Sequence, residues 1–366
     1  MEIRVNRDEA LKPLTKVAGV VEKRQTLPIL SCVLLKSNGK HLVFTGTDLE
    51  IEVITRIDLI NGTAGEVAVP ARKLLDIFKA LPAGAEISIR LEDEKAVVRS
   101  GKSRFTLTTM SADDFPSVEK SDWDIETSMA QESLRGLLEK TQFCMANQDV
   151  RYYLNGLLIE IAGTDVKAVA TDGHRMAMST SSLEKAANKE WQAIIPRKGV
   201  VEMVRFLEDA GKSATMRLGT NHAQIEFDNV IFTTKLIDGR FPDYNKVIPQ
   251  TQPKKLSLDR QSFRDSLNRV AILSNEKYRG VRFSLSPGEL KITAHNPEQE
   301  EAVEEISMDY KGEELEIGFN VNYISEAAGI MTGDKIDITL ADPNSSCTLS
   351  APNDKNTLYV VMPMRL

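Results

Sequence analysis

The stretch Val169-Ala170-Thr171-Asp172-Gly173-His174-Arg175 carries a short apolar segment into a polar, glycine-containing corner near the middle of the chain. Upstream, Val43-Phe44-Thr45-Gly46-Thr47-Asp48 does the same, and downstream Leu290-Lys291-Ile292-Thr293-Ala294-His295-Asn296 ends in Asn. Asp48, Asp172 and Asn296 stand 124 residues apart in each step. A corner that returns at a constant, domain-sized interval implies one module built three times, and modules of about 120 residues lie within the usual domain range.

The flanking sequence repeats with the corner. Asn6 to Val21 has helical apolar spacing (Leu11, Leu14, Val17 or Ala18, Val21), and Asn6 with Glu9 resembles a capping box. Ile29 to Leu35 and Leu42 to Ile57 alternate as strands do. Pro70 opens a second helix with Leu74, Ile77, Phe78 and Leu81 as its stripe. Strands are expected at Glu86 to Leu91, Lys95 to Ser100 and Ser103 to Met110, before Phe115-Pro116. The second unit replays the order with a helix over Ser133 to Phe143, strands Leu154 to Ile161 and Val166 to Ser179, and a helix from Pro196 through Leu207. Its Phe241-Pro242 lies 126 residues after the first Phe-Pro pair. In the third unit Phe263, Leu267 and Val270 mark one helix, Ile324, Ala327, Ala328 and Met331 the other, and Leu358 to Met364 a final strand. The modules are expected over residues 1–121, 126–249 and 254–366, each with two helices on antiparallel sheet, which is an α+β fold.

The 366 residues exceed what a single core serves, and 42% hydrophobic with 27% charged residues describes an ordinary soluble globular protein. No apolar run approaches the roughly 18 residues of a membrane span, and Met1-Glu2-Ile3-Arg4-Val5 lacks the features of a secretory signal. A cytoplasmic location without membrane attachment follows as the expectation. Cys32, Cys144 and Cys347 have no metal or redox spacing and are read as reduced and structural, so no cofactor is expected.

Net charge is −7, yet the six helical stretches together carry a net +5, which leaves −12 for the rest. If all the helices face one way, the protein has a weakly basic inner wall and an acidic outer one, a surface that tolerates nucleic acid without gripping it. Each helix taken alone reads more simply as an ordinary solvated face, and it is the sum over six that raises the other reading beside it.

Five motifs then fall together: Gln148-Asp149-Val150-Arg151-Tyr152-Tyr153-Leu154-Asn155-Gly156, Ala170 to Arg175, Pro196-Arg197-Lys198-Gly199, Asp238-Gly239-Arg240-Phe241-Pro242-Asp243-Tyr244, and the terminal Tyr359-Val360-Val361-Met362-Pro363-Met364-Arg365-Leu366. Together they closely resemble the bacterial sliding clamps, the β subunits of DNA polymerase III, over the whole chain. The resemblance implies three clamp modules per chain, and a head-to-tail homodimer forming a six-module ring closed around double-stranded DNA without sequence preference. It also implies a pocket that takes a short linear motif from the replicative polymerase catalytic subunit, the clamp loader, translesion polymerases and repair proteins. Carried over, the pocket comprises Arg151, Leu154, Thr171, Gly173, His174, Arg175, Met176, Pro242, Val247, Asn320, Tyr323, Ser346, Val360, Met362, Pro363, Met364 and Arg365. Met176 stands where leucine is usual and polar Asn344 lies at the rim, which bears on peptide preference. Arg24, Gln148, Tyr152, Tyr153, Arg197 and Lys198 approach DNA by the same carry-over. For the dimer seam the resemblance points to Phe105 and Leu107 against Ile272 and Leu273, and the opposite charges of Arg99, Lys102 and Arg104 and of Glu298, Glu300, Glu301 and Glu304 agree with that pairing.

Two other readings fit some of these residues. Asp172, His174 and Ser179 superficially suit hydrolysis, but the repeat keeps Asp48 and Asn296 at equivalent corners without a matching histidine, so the corner is read as structural. A peptide-binding scaffold that does not encircle DNA is the alternative that shares the pocket.

Overall fold

The computed structural model describes residues 1–21, 27–118, 122–207 and 211–365. These fall into two compact units, one of Met1–Glu132, Leu183–Lys189 and Val201–Leu236, the other of Ser133–Ser182, Glu190–Val200 and Ile237–Leu366. The middle repeat contributes to both.

Six α-helices occur among the described residues: α1 (Arg7–Val20), α2 (Ala71–Ala80), α3 (Gln131–Glu139), α4 (Arg197–Phe206), α5 (Arg260–Ala271) and α6 (Val321–Ile330). All six occupy expected positions. The Asn6 side chain caps α1 by accepting the N–H groups of Asp8 and Glu9, as its capping signature predicts. The first helix of every repeat is anchored by the same backbone bond. Arg7 N–H donates to Ala85 C=O at 2.9 Å, Gln131 N–H to Lys212 C=O at 2.8 Å and Arg260 N–H to Asp334 C=O at 2.8 Å. The Arg7 guanidinium donates to the carbonyls of Phe78 and Lys79 at the end of α2. Arg260 does the same for α6, through the carbonyls of Ala328 and Gly333. A cation among a helix's last carbonyls satisfies acceptors that the helix itself leaves open.

In the first unit an eight-stranded antiparallel sheet runs Trp123–Ala130, Ser213–Gly219, His222–Phe227, Val230–Lys235, Ile51–Asp58, His41–Thr47, Cys32–Asn38, Ala64–Pro70. Strands of two repeats join there where Val230–Lys235 pairs with Ile51–Asp58. A five-stranded sheet ends on Ser103–Thr108. α1 lies hard against the large sheet at Gly46, where an added Cβ would sit 2.7 Å from a Val17 methyl.

The second unit has the matching plan. Its eight-stranded sheet runs Trp191–Pro196, Gly156–Ala162, Asp165–Thr171, Arg175–Ser182, Thr357–Val361, Cys347–Ser350, Lys335–Leu340, Lys254–Asp259, and its four-stranded sheet ends on Glu301–Ser307. Repeats join where Arg175–Ser182 pairs with Thr357–Val361.

Several expectations shift locally. Pro28–Ser31 is a 3-10 turn and the strand starts at Cys32, because proline at the first position fixes a helical φ. Val166 to Ser179 is two strands bent at residues 172–174. The α3 segment stops at Glu139, with a separate turn at Gln142–Cys144, and the final strand stops at Val361. Cys32, Cys144 and Cys347 are buried free thiols.

Phe263 of α5 and Phe283 and Phe319 of the sheet are all fully buried, with Phe283 edge-on to both neighbours at 6.1 and 5.4 Å between ring centroids. Phe283→Ala is expected to cost about 3–5 kcal/mol, read as a lowered urea midpoint. Val303→Ala, at a residue 41% exposed in the same sheet, shifts it little.

Candidate functional site

The corner at Asp172 is a tight turn locked by its own side chains. Asp172 Oδ1 accepts the N–H groups of His174 and Arg175 at 2.9 and 3.0 Å. Thr171 Oγ1 donates to Arg175 C=O at 2.6 Å and accepts Gly173 N–H at 3.0 Å. The upstream corner has the same network, with Asp48 Oδ1 accepting from Glu50 and Ile51 and Thr47 Oγ1 bonding to Ile51 C=O and Leu49 N–H. At the third corner Asn296 Oδ1 accepts from Glu300, one residue further on. In the middle copy the left-handed position is Gly173, with φ +90°, and an added Cβ would meet the Arg151 guanidinium at 2.9 Å. Catalysis finds no support here, because the Asp172 carboxylate is engaged by Arg175 as well as by the turn, and Ser179 is buried, bonded to the Thr357 hydroxyl. Among the described residues no group of three or more His, Cys, Asp or Glu is placed to hold a metal ion.

Arg175 organises the surroundings of the turn. Its guanidinium donates to Asp172 at 3.1 Å, to Glu326 of α6 at 2.6 Å and to Phe143 C=O at 2.8 Å. It also lies over the rings of Tyr323 and Phe143, at 4.6 and 5.3 Å from their centroids. A guanidinium satisfies hydrogen bonds in its plane and stacks on its faces at once, a combination lysine lacks. Arg151 closes the other side by donating to Asp172 C=O and to both oxygens of Asp149. That pairing holds the Asp149 carboxyl down to about 2.

The C-terminal segment runs past this turn. Met362 N–H donates to His174 C=O and Met364 N–H to Gly318 C=O, both at 2.9 Å. Met362, Pro363 and Met364 are half-buried and Arg365 is exposed; Leu366 lies outside the described residues. Ser346 precedes the strand that pairs with Thr357–Val361, and its C=O accepts from Gln252. Asn320 caps α6 and Tyr323 lies one turn on, beneath Arg175. Asn344 is exposed in a turn anchored by Asp342.

Beneath the surface, Met176 and Val360 are register partners in a buried apolar cluster with Leu158, Val169, Ile194 and Tyr244, and Val247 packs on it. Leu154 is also buried, and exposed Pro242 precedes the Tyr244–Val247 turn. Half-buried Thr171, Gly173, Met362, Pro363 and Met364 with exposed His174 and Pro242 form the accessible part, and Leu154, Met176 and Val360 lie below it. A cavity of about 510 Å³ adjoins this region under Gly239–Asn245, and Pro242 is its link to the predicted set. The sequence reading did not find Glu160 and Lys167. Tyr244 O–H donates to Glu160 at 2.5 Å and Lys167 lies 5.7 Å from the tyrosine ring, which fixes the segment carrying Pro242 and Val247. The one usable signal was a lone carboxylate inside the apolar run Gly156–Ala162.

Of the residues expected near DNA, Arg24 lies outside the described residues. Gln148 is exposed with φ +57°, and Tyr152 is 56% exposed with its ring edge-on to half-buried Tyr153 at 5.7 Å. Arg197 is half-buried and donates to Met145 C=O at 2.9 Å, beside half-buried Lys198 at the start of α4.

The residues expected at a dimer seam lie on sheet edges and helix ends. Phe105 is half-buried and Leu107 buried on the outer strand of the five-stranded sheet, with Arg99, Lys102 and Arg104 around them. Ile272, just after α5, is 76% exposed, and Leu273 is half-buried. Glu301 and Glu304 lie on the outer strand Glu301–Ser307, with exposed Glu298 and Glu300 before it. Three of these carboxylates already have partners within the chain: Glu304 takes a bidentate pair from Arg269, both bonds 2.7 Å, Glu300 accepts from Asn296, and Glu301 lies 3.5 Å from the His295 ring.

Residues 1–119, 128–243 and 245–365 match the families described as the N-terminal, central and C-terminal domains of the DNA polymerase III beta subunit. Over 367 residues, covering all of both chains, the protein is 49% identical to the beta sliding clamp of Pseudomonas putida and 44% identical to that of Escherichia coli K12. A crystal structure of the DNA polymerase sliding clamp from Pseudomonas aeruginosa superposes with a TM-score of 0.98 at 48% identity, with 100% of each chain covered. A Pseudomonas aeruginosa sliding clamp bound to griselimycin superposes at 0.97 and 48%, and a Caulobacter crescentus clamp with polyethylene glycol in a putative beta-motif tethering region at 0.95 and 38%.

Because Arg151 depresses Asp149, the contribution of this pair is fully present above the ordinary carboxylate range and is lost as pH falls toward about 2. A carbon-detected NMR titration is expected to place the Asp149 midpoint near 2, and Arg151→Ala to raise it toward the ordinary aspartate value.

Proposed function

The chain belongs to the family of DNA polymerase III beta subunits, the sliding clamps, and we propose how its own residues carry that role. It is a non-catalytic processivity factor in DNA replication, an encircling clamp that tethers the polymerase to duplex DNA. Two copies associate head to tail, so that the outer strand Ser103–Thr108 of one copy meets Glu301–Ser307 of the other, and a heterologous contact of this kind closes into a ring. Exposed Ile272 supports that seam. The charge pairs add little, about 0–1 kcal/mol each, and Glu304 less still because Arg269 holds it. The repeat boundaries 1–121, 126–249 and 254–366 are the natural modules of the ring.

DNA is held by topology. The excess of basic residues on the helices keeps the duplex centred, and few ordered phosphate contacts leave it free to slide. Gln148, Tyr152, Tyr153, Arg197 and Lys198 approach the backbone from this lining, with Arg24 on the first repeat.

The observation that carries the partner site is the meeting of the middle-copy turn, Arg175 and the Met362–Met364 segment in one unit. These groups with Pro242, Val247 and the Arg151 and Arg365 rim receive a short linear peptide from the replicative polymerase, the clamp loader, translesion polymerases and repair proteins. Methionines at 176, 362 and 364 suit varied peptides because the thioether side chain reshapes at low cost. The relatives with griselimycin and polyethylene glycol bound support a ligand-accepting surface in this family. A cytoplasmic location accords with the described helices, none of which is long and apolar enough to cross a membrane.

Met362→Asp is expected to weaken binding of a partner-derived peptide at least about a hundredfold, a few kcal/mol for a charge placed in an apolar contact, while sedimentation still gives twice the 40.7 kDa chain mass. Unchanged affinity, measured by calorimetry, overturns the pocket. For encirclement, clamps loaded on nicked circular DNA are expected to stay bound through gel filtration and to leave after the circle is linearised. Equal release from both forms favours the scaffold reading.

A further inference from the structure

One strand of each repeat begins at Cys32, Gly156 and Gly280, again at intervals of 124 residues. In register these residues face Pro70, Pro196 and Asn320, each immediately before the second helix of its repeat. In two copies the same backbone bond ties the preceding loop to that helix: Arg197 N–H donates to Asn155 C=O at 2.9 Å, and Val321 N–H to Arg279 C=O at 2.8 Å. The segment ahead of the strand is therefore one loop of the module in three versions. Each version carries a large side chain in solvent: Leu27 at 49%, Tyr152 at 56% and Tyr278 at 57% exposed. A single exposed apolar residue is ordinary; the three stand 5, 4 and 2 residues before their strands, and Tyr278 takes the place of buried Leu30 and Leu154, so at that position the third loop turns outward a large side chain that the other two bury.

The third version is tightly built. Asn275 Oδ1 accepts the N–H groups of Lys277 and Tyr278 at 2.9 and 3.0 Å, and Arg279, at φ +50°, donates its N–H to Asn275 C=O at 2.8 Å. Asn320 Nδ2 donates to Tyr278 C=O at 3.3 Å. The Lys277 ammonium lies 5.2 Å from the Tyr278 ring centroid, so the exposed ring and a cation are presented together.

We propose that the loop Asn275–Gly280 is a further DNA-facing element, in which Lys277 and Tyr278 contact the phosphate backbone of the encircled duplex. This rests on the encirclement reading, which puts Gln148 and Tyr152 of the sister loop against DNA. The lysine ammonium and tyrosine hydroxyl donate to non-bridging phosphate oxygens, contacts that position the duplex without reading sequence. Glu276 in the same loop keeps the local charge low, so the contact is weak enough to be broken and remade as the ring moves.

The test is binding of the full chain to a fluorophore-labelled linear duplex by anisotropy across a salt series. For the double variant Lys277→Ala/Tyr278→Ala, affinity at low salt is expected to fall about threefold and the slope of log affinity against log salt to become shallower by about 0.9, the loss of the one phosphate that the lysine neutralises. Lys277→Arg keeps both. Lys277→Glu, which leaves the loop's backbone bonds intact, weakens binding as well, and unchanged partner-peptide affinity shows that the variants are folded. If the double variant and Lys277→Glu match the parent in affinity and slope while Tyr152→Ala weakens binding, the third loop has no such role and the encirclement reading stands. If Tyr152→Ala is silent too, the DNA-facing assignment fails for both loops.

Discussion

The structure depends on backbone hydrogen bonding that continues from one repeat into the next. Val230–Lys235 pairs with Ile51–Asp58 in one unit, and Arg175–Ser182 with Thr357–Val361 in the other. Each junction turns what would be two exposed strand edges into the middle of an eight-stranded sheet. The repeat thus acquires its stability from its neighbours, as stacked modules do. The corner at Asp48 or Asp172 starts the strand that makes this junction, which explains why its Asx bonding is the same in both copies.

The proposed partner site rests on what the middle copy adds to that shared corner. Leu49 occupies the left-handed position in the first copy and Gly173 in the second. Without a Cβ there, Arg151 packs onto the turn, and Arg175 extends from it to Glu326, Phe143 and Tyr323. The C-terminal segment then bonds to His174 C=O, so the surface is completed by residues 188 positions further along the chain than the turn they cover. Pro363 has no N–H and cannot extend the ladder, which accords with a strand that ends at Val361 and a tail that peels toward Gly318.

Much of this was legible from residue types with local consequences. Helix stripes, the Asn6 cap, the three corners and the free buried cysteines follow from periodicity and side-chain chemistry within a few residues. The two strands within Val166 to Ser179 were not separated, because an apolar run continues on both sides of a three-residue turn. Ile29 to Ser31 alternate like the strand that follows them, yet the fixed φ of Pro28 winds them into a 3-10 turn. The motifs indicated which pocket residues belong together, yet not that Leu154, Met176 and Val360 lie beneath the surface. Glu160 with Tyr244, 84 residues apart, and Glu304 with Arg269, 35 apart, carry no sequence signal of pairing.

By itself the sequence determined the threefold repeat, the elements of each copy and the family, because those rest on short-range patterns repeated at a fixed interval and on motifs long enough to be specific. Only the tertiary structure decided which side chains are committed to one another: Arg7 and Arg260 to helix ends, Arg175 to α6, Glu304 to Arg269, Tyr244 to Glu160. Such commitments depend on distances of a few ångströms between segments far apart in the chain, and these are fixed by sheet register and packing that no local pattern encodes.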